Sequence, residues 1–194
     1  MIQNYADLQT EIASWLHRSD LTARIPSFIQ FAEARINNEL RLSRMVRYRT
    51  INVAGPLFDR PADFLEMIRF VPSAKPNEEF DVVGPRQISG TKGNFYAHVG
   101  DQIMLLDQAT DPRNVELTYY ARIPALFDAE STWLLSDQPD LYLYGALTHS
   151  APFIKDDARI ATWEAGYQAA KAGIEGTDNA GRWSGNTLTI RNAQ

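Results

Sequence analysis

The 194-residue sequence contains no cysteine, which excludes a disulfide framework, a thiolate nucleophile and cysteine-ligated zinc. It has only three histidines, His17, His98 and His149. They lie far apart, and none has the HExxH or HxH spacing of a metal site. A GxSxG motif and a glycine-rich phosphate loop are also absent. A Ser-His-Asp triad assembles in space, so spacing alone does not exclude one, but we expect no catalytic residue, no metal and no cofactor.

Long hydrophobic runs are missing as well. No window approaches the roughly 18 consecutive apolar residues of a membrane-spanning helix. The first twenty residues mix charges with apolar positions and show no basic stretch before an apolar core, so they do not resemble a secretory signal. The sequence therefore predicts a soluble protein that is made in the cytoplasm and does not contact a membrane.

Lysine is scarce, with 4 residues against 15 arginines, and the formal net charge is −5. Residues 33–49 hold five arginines and two glutamates, whereas residues 101–157 hold ten acidic residues and three basic ones. Arginine is the cation enriched in protein interfaces. Two interpretations stay open: ordinary solvated faces, or complementary surfaces between subunits. The candidate subunit-interface residues are Arg35, Arg41, Arg44, Arg47, Arg49, Asp156 and Asp157.

The fold class predicted from the pattern is α+β, mainly α. Apolar residues at helical spacing predict two helices within residues 1–47, with Asn4 as N-cap of the first and Pro26 opening the second. Short apolar runs separated by glycine and proline predict a β-rich insertion over 48–122, with a hairpin turn at Gly100-Asp101. Pro61 is expected to open a helical turn in the segment 61–70. Two more helices over 123–175 complete a predicted four-helix core.

An extended tail is predicted over residues 176–194, after the last helix. It is polar, but Trp183, Leu188 and Ile190 are costly to leave in water, and the run TLTI favours a strand. Such a segment can pair with the sheet edge of another chain, so we expect partner binding. The residues predicted to bind the partner are Trp183, Thr187, Leu188, Thr189, Ile190 and Arg191.

The residues also allow two other functions. Asp137 with Asp140, and Asp156 with Asp157, are paired carboxylates that could divide acid and base roles in a small hydrolase. Both pairs fall at predicted helix starts, where capping explains them. The arginine run could instead bind nucleic acid in an accessory protein. Asp107 and Asp111 bracket a loop that lacks the ligand spacing of a calcium site.

Four segments together resemble the portal-adaptor, or head-to-tail connector, proteins of tailed bacteriophages. They are DLTARIPSFIQFAEARINNELR, RPADFLEMIRF, LTYYARIPAL and TWLLSDQPDLYLYGALTHSAPFIKDDARIATW. The block 133–147 is the most specific part. Such families often have asparagine before this block and Leu-Pro before DFLE, where this chain has Thr132 and Arg60-Pro61. The differences concern local capping and packing.

The resemblance implies a structural protein of the virion neck. Such adaptors form a ring, commonly of twelve copies, beneath the portal protein after genome packaging. The ring extends the DNA channel and carries the next neck or tail protein. Members have a helical core with a β-rich insertion, and their C-terminal tails reach the portal. Genomic DNA would pass through without specific binding, which suits an acidic protein, because every neutralised phosphate adds affinity.

Overall fold

A computed structural model of the chain describes residues 1–88, 93–106, 112–154 and 158–184. The chain divides into two compact units. The helical unit comprises Met1–Ser43 and Ile123–Gln194, and the β unit comprises Arg44–Arg122. The predicted fold class, α+β with more helix than strand, is confirmed.

Six α-helices occur in the described ranges, where periodicity predicted four. The two extra helices, α3 and α4, are too short to give an apolar stripe, and each contributes one turn to the helical unit. No helix in these ranges is long and apolar enough to cross a membrane. The helices are α1 Tyr5–Leu16, α2 Ile25–Glu39, α3 Leu126–Ala129, α4 Trp133–Asp137, α5 Pro139–His149 and α6 Arg159–Trp183.

Helices α1 and α2 both begin at the positions that the sequence predicted. The Asn4 side chain accepts a hydrogen bond of 2.9 Å from the Asp7 amide, which satisfies one of the free N–H groups of the first turn. Pro26 occupies the first turn of α2, where its missing N–H costs nothing. Leu8, Ile12 and Leu16 bury the inner face of α1. Local sequence signals therefore determine this part of the helical unit.

Helix α5 forms the centre of the helical unit. Leu141, Tyr142, Leu143, Ala146 and Leu147 are all buried, so the helix is covered almost all round by α1, α2, α4 and α6. Its Gly145 permits a close approach, since a Cβ there would lie 3.1 Å from the Ala32 Cβ. Pro152 comes after the helix ends at His149, in a short 3₁₀ turn over Ala151–Phe153.

Two polar side chains of α2 form hydrogen bonds with the backbone of residues 123–126, the first segment of the helical unit after the β unit. The Asn37 amide accepts from the Ile123 N–H at 2.8 Å and donates to the Ile123 carbonyl at 3.3 Å. The Glu33 carboxylate accepts from the Leu126 N–H at 2.7 Å. Because Asn37 is only 8% exposed, these bonds replace the water that the backbone groups of Ile123 would otherwise require.

The β unit contains two small sheets. One has the order β1-β7-β3 and is antiparallel; the other has the order β2-β6-β5-β4, in which only β4 and β5 run parallel. The strands are β1 Val46–Val53, β2 Leu57–Asp59, β3 Phe64–Pro72, β4 Asp81–Val82, β5 Phe95–Val99, β6 Gln102–Leu105 and β7 Arg113–Ala121.

Side chains from both sheets form the core of the β unit. On β7, Val115, Leu117 and Tyr119 are fully buried and alternate with outward-facing residues. Phe70 of β3 packs against Phe80, with ring centroids 4.7 Å apart. The β unit thus has its own hydrophobic cluster.

The predicted hairpin at Gly100-Asp101 is confirmed. Strands β5 and β6 pair with Val99 opposite Gln102. Gly100 has a φ of 58°, a left-handed conformation that glycine adopts without steric cost. The two-residue turn therefore sets the register of this sheet.

Pro61 opens only a single turn, in which the Phe64 N–H donates to the Pro61 carbonyl at 2.9 Å, and the rest of the segment forms strand β3 instead of helix. Its register against β7 shifts twice, between Phe64 and Glu66 and between Met67 and Arg69. Each shift inserts a residue, so the core-facing side chains Phe64, Met67 and Phe70 recur every third position. This spacing imitates a helix in the sequence.

The predicted start of the tail at residue 176 also differs from the structure, since α6 continues to Trp183. Asp178 accepts a hydrogen bond of 3.0 Å from the Ser43 amide. Arg182 forms an ion pair of 2.8 Å with Asp178 and donates to the Arg41 carbonyl at 3.0 Å. These contacts stabilise the last two turns, although glycine at 176 and 181 has low helix propensity.

Candidate protein-binding surfaces

The arginines between residues 33 and 49 fall into both units. Arg35 and Arg41 belong to the helical unit, whereas Arg44, Arg47 and Arg49 belong to the β unit. The sequence grouped them by proximity along the chain. The contacts of these arginines differ between the two units.

Arg35 lies in an ion-pair network inside the helical unit. Its guanidinium contacts Glu164 through two hydrogen bonds of 2.6 and 2.9 Å, and contacts Glu39 at 2.9 Å. The guanidinium carbon lies 3.9 Å from the centroid of the Tyr167 ring. Lys171 also reaches Glu39, at 3.0 Å. This arginine joins α2 to α6 within one chain, and its predicted role between subunits stays a prediction.

The network shifts the pKa values of its members. The hydrogen bonds from Arg35 lower the pKa of Glu164 to about 2. Burial opposes ionisation of Glu39, but the bonds from Arg35 and Lys171 outweigh it and lower its pKa. The hydrogen bonds to Glu164 raise the pKa of Arg35. Burial, followed by the charge of Glu39, raises that of Tyr167.

We predict that Glu164→Gln lowers the free energy of unfolding at pH 7 by about 1 kcal/mol, a modest value because the Glu164 side chain is 39% exposed and its pair with Arg35 is screened. The folded-state pKa of Glu164 lies below the ordinary value of 4.5. The ionised Glu164 therefore stabilises the folded state fully above pH 4.5, and this contribution is lost as the pH falls through about 2.

Urea unfolding at pH 7 and at pH 3 measures this effect. The difference between wild type and Glu164→Gln should be smaller at pH 3. Glu175→Gln, on the same helix, is the matched control and should leave stability unchanged within about 0.5 kcal/mol. Equal stability of wild type and Glu164→Gln at pH 7 would contradict the assigned role of the network.

Arg41 stabilises the C-terminal end of α2. Its guanidinium donates to the carbonyls of Asn37 and Leu40, at 3.0 and 2.6 Å. Carbonyls in the last turn of a helix have no partner within the helix, and a basic side chain can satisfy them.

The β unit presents the other three arginines along the start of strand β1. Arg47 donates to the carbonyls of Arg44 and Val46 at 3.2 Å, and Arg49 lies 3.9 Å from Asp63. Residues 47–50 are all exposed, and the Tyr48 side chain is 60% exposed. Among the described strands, β1 pairs only with β7. Its other edge therefore offers backbone groups and positive charge together. We call this surface the arginine edge: Arg44, Arg47 and Arg49 on or beside β1.

A pocket of about 290 Å³ opens on the helical unit. The rings of Tyr5 and Phe127 meet edge to face in its wall, with centroids 6.3 Å apart. The carboxyl groups of Glu33 and Asp128 also line it. Phe127 is 78% exposed, more than the other exposed aromatic side chains Trp15, Phe31, Tyr48 and Phe153. We call this surface the acidic aromatic pocket: Tyr5, Glu33, Phe127 and Asp128, with Pro26 and Ile29.

Of the two acid pairs that could serve a hydrolase, the structure describes Asp137 and Asp140. Asp137 is the last residue of α4, and Asp140 lies in the first turn of α5 with its carboxylate on the Leu141 amide, at 3.0 Å. Thr132, not an aspartate, caps α4 by accepting from Leu135 at 3.2 Å. Asp137 therefore lies at the end of α4 and not at the expected helix start. Asp107, Asp111, Asp156 and Asp157 lie outside the described residues.

The three histidines occupy separate places. His17 ends α1, His98 lies on β5 between the rings of Phe64 and Tyr96, and His149 ends α5. Burial lowers the pKa of His98 and of His149. The described part of the chain contains no cluster of three acidic or histidine side chains suited to a metal ion.

Five of the six residues predicted to bind the partner lie outside the described residues. This applies to Thr187, Leu188, Thr189, Ile190 and Arg191. Trp183 is the last residue of α6, although its side chain is not described. The structure thus places the start of the tail at the end of a long helix that is tied to residues 41–43.

Sequence reasoning missed the acidic aromatic pocket and the role of Asn37. Glu33 and Asn37 lie four residues apart on the flank of the apolar stripe of α2, and such a polar pair beside a buried stripe signals a hydrogen-bonding task. The sequence did not predict that Phe127 is exposed, because its exposure depends on the turn formed by α3.

Comparison with known proteins gives one family. No curated protein matches the chain. The model of the family described as SU10 adaptor protein matches residues 3–191. This match covers nearly the whole sequence and includes both units, and it agrees with the resemblance that the sequence showed. The chain therefore belongs to the SU10 adaptor protein family and is a structural protein of the phage head-to-tail adaptor class.

Proposed function

We propose that this protein forms a ring, with twelve copies, beneath the portal protein of a tailed phage. The ring extends the DNA channel and presents a platform to the next neck or tail protein. The chain is made in the host cytoplasm and acts in the virion neck. Its work is binding, and no substrate is transformed.

Family membership is the observation that carries this proposal. The molecule also supports it, since each unit has its own core and an exposed surface suited to protein contacts. The arginine edge and the acidic aromatic pocket carry opposite charge. A ring of identical subunits requires such paired, non-identical surfaces on each copy.

The tail is proposed to bind the portal. Leu188 and Ile190 alternate with Thr187 and Thr189, the pattern of a strand that seats every second side chain in a partner while its backbone extends a sheet. Trp183 and Arg191 flank this segment. One such contact is small, but many tails on one portal ring act together, so that the overall affinity exceeds that of each single contact.

Genomic DNA is proposed to pass the ring without being held. We expect the isolated protein to show no measurable binding to duplex DNA at physiological salt, because its net charge is −5. Fluorescence anisotropy of a labelled duplex over a range of salt concentrations measures this. If the arginine edge were a DNA site, binding would appear at low salt and fall steeply as salt rises.

Mixing the full-length protein with its cognate portal tests the proposal. We expect a complex that sediments faster than the portal alone and that contains several copies of this chain for each portal ring, twelve at saturation. A portal that sediments unchanged at saturating protein would contradict the proposed function.

A further inference from the structure

The acidic aromatic pocket has the chemistry of a cation site. Two carboxyl groups, of Glu33 and Asp128, face a space that is also lined by the rings of Tyr5 and Phe127 and by the apolar side chains of Pro26 and Ile29. None of the described lining residues is lysine or arginine. A planar guanidinium suits this mixture, because it stacks on aromatic rings and donates to carboxylates at its edge.

The same chain builds this arrangement within one copy, between α2 and α6. Arg35 donates to the carboxylates of Glu39 and Glu164 while its guanidinium lies 3.9 Å from the centroid of Tyr167. Two carboxylates and a ring surround one arginine there. The acidic aromatic pocket offers two carboxylates and two rings with the arginine position open to solvent.

The state of Glu33 indicates that the pocket lacks its counter-charge. Burial raises the pKa of this carboxyl group, and the nearby charge of Asp128 raises it further, although the hydrogen bond from Leu126 acts in the opposite direction. A bound cation would lower the free energy of the ionised form of Glu33. Phe127 supplies the second indication, since a ring that is 78% exposed gains by being covered.

The arginine edge is the matching surface on this chain. It carries three arginines within six residues, and two of them, Arg47 and Arg49, lie on an exposed strand whose outer edge pairs with no described strand. Arg49 has only a distant carboxylate, Asp63 at 3.9 Å. An arginine here can reach a carboxylate of a second copy without breaking a close ion pair with Asp63.

We propose that the acidic aromatic pocket of one copy binds an arginine side chain, Arg47 or Arg49, from the arginine edge of the neighbouring copy. This inference rests on the proposed ring and names the two surfaces that join its subunits. The contact is heterologous, since one copy gives the pocket and the next gives the arginine. Contacts of this type close into a ring when the rotation from one copy to the next divides a full turn evenly.

Charge reversal on each side tests the proposal in the full-length chain. Asp128→Arg and the double variant Arg47→Asp/Arg49→Asp should each weaken contacts between copies about tenfold, because each places like charges together. A chain that carries both changes restores opposite charge and should recover most of the assembly. Glu130→Arg, an exposed neighbour outside the pocket, is the matched control and should assemble like wild type.

A milder variant guards against misfolding. Glu33→Gln keeps an oxygen that can accept from the Leu126 amide but removes the charge, and it should weaken contacts between copies without lowering the melting temperature. Phe127→Ala, at an exposed position, should act in the same direction. Circular dichroism establishes that each variant is folded.

The readout is the distribution of copies on the portal, measured by native mass spectrometry with limiting amounts of this protein. Wild type should give mainly empty and full portals, since neighbouring copies stabilise each other. The single-side variants should give intermediate numbers of copies, because each copy still binds the portal independently. The combined reversal should return to the cooperative distribution.

The other outcomes separate this inference from the proposed function. If wild type does not bind the portal, the proposed ring fails. If wild type assembles and the single-side variants assemble in the same way, the pocket is not a subunit contact. If Asp128→Arg prevents even single copies from binding, or if the combined reversal gives no recovery, the pocket binds a cation of the portal instead, and the proposal is overturned.

Discussion

Removal of residues 185–194 should abolish binding to the portal while leaving the folded protein almost as stable as before. The truncation ends after α6, so it keeps the contacts of Asp178 and Arg182 with residues 41–43. Those contacts stabilise the end of α6 within the helical unit, and the truncation leaves them in place. The tail contributes the segment TLTI, whose backbone and alternate side chains are the proposed portal contact.

The effect on binding should be large. Each copy loses its whole portal contact, and because many contacts act together, the loss in overall affinity should exceed about a hundredfold. Co-sedimentation with the portal measures binding, and calorimetry measures the melting temperature, which should fall by less than about 2 °C. Portal binding that survives the truncation would contradict the assigned role of the tail.

A longer truncation and a double substitution sharpen this test. Ending the chain at residue 176 would also remove Asp178 and Arg182, so the melting temperature should fall in addition to the binding. Leu188→Lys together with Ile190→Lys keeps the full length of the tail but removes its apolar side chains. This double variant should bind the portal as weakly as the shorter truncation does.

Asn37→Ala should lower the free energy of unfolding by about 2 to 3 kcal/mol. The substitution removes both bonds between the Asn37 amide and the backbone of Ile123, at 2.8 and 3.3 Å. Since Asn37 is 8% exposed, water does not readily replace the lost partner. The N–H and carbonyl of Ile123 would then be left unsatisfied, which costs more than the net gain from an ordinary hydrogen bond.

Urea unfolding followed by circular dichroism at 222 nm, a helix signal, measures this change. Asn38→Ala is the matched control, because Asn38 is the next residue on the same helix and is exposed. The control should change stability by less than about 0.5 kcal/mol. Equal effects of the two substitutions would show that the Asn37 bonds do not hold residues 123–126.

Local signals predicted those parts of the fold that local physics determines. Asn4 and Pro26 mark helix starts because they act on the free amides of the first turn. Gly100 marks a hairpin because it alone in that turn must adopt a left-handed conformation. In each case the residue type and the structure are connected within a few residues.

The local sequence gave a wrong prediction where contacts with residues far along the chain determine the secondary structure. The bulges of β3 gave a strand the spacing of a helix, and their cause is the pairing with β7, about fifty residues away. The polar run that begins at residue 176 suggested a helix end, but the bonds of Asp178 and Arg182 to residues 41–43 extend α6 to Trp183. Neither partner can be read from the local sequence.

The sequence predicted some of the candidate binding surfaces and missed others. The arginine run was visible as a charge pattern, but only the structure separates Arg35, which is committed to Glu164, from Arg47 and Arg49 on an exposed strand. The acidic aromatic pocket is lined by Tyr5, Glu33 and Phe127, which come from three distant segments of the chain, so no sequence motif predicts it. The tail was predicted from its own sequence.

Imaging the full-length protein bound to its cognate portal by electron cryo-microscopy tests the central claim most directly. The account predicts a closed ring of twelve copies at the narrow end of the portal, with an open central channel and residues 187–190 added as a strand to a portal sheet. Single copies scattered on the portal, a ring that closes the channel, or no bound protein at saturation would contradict it.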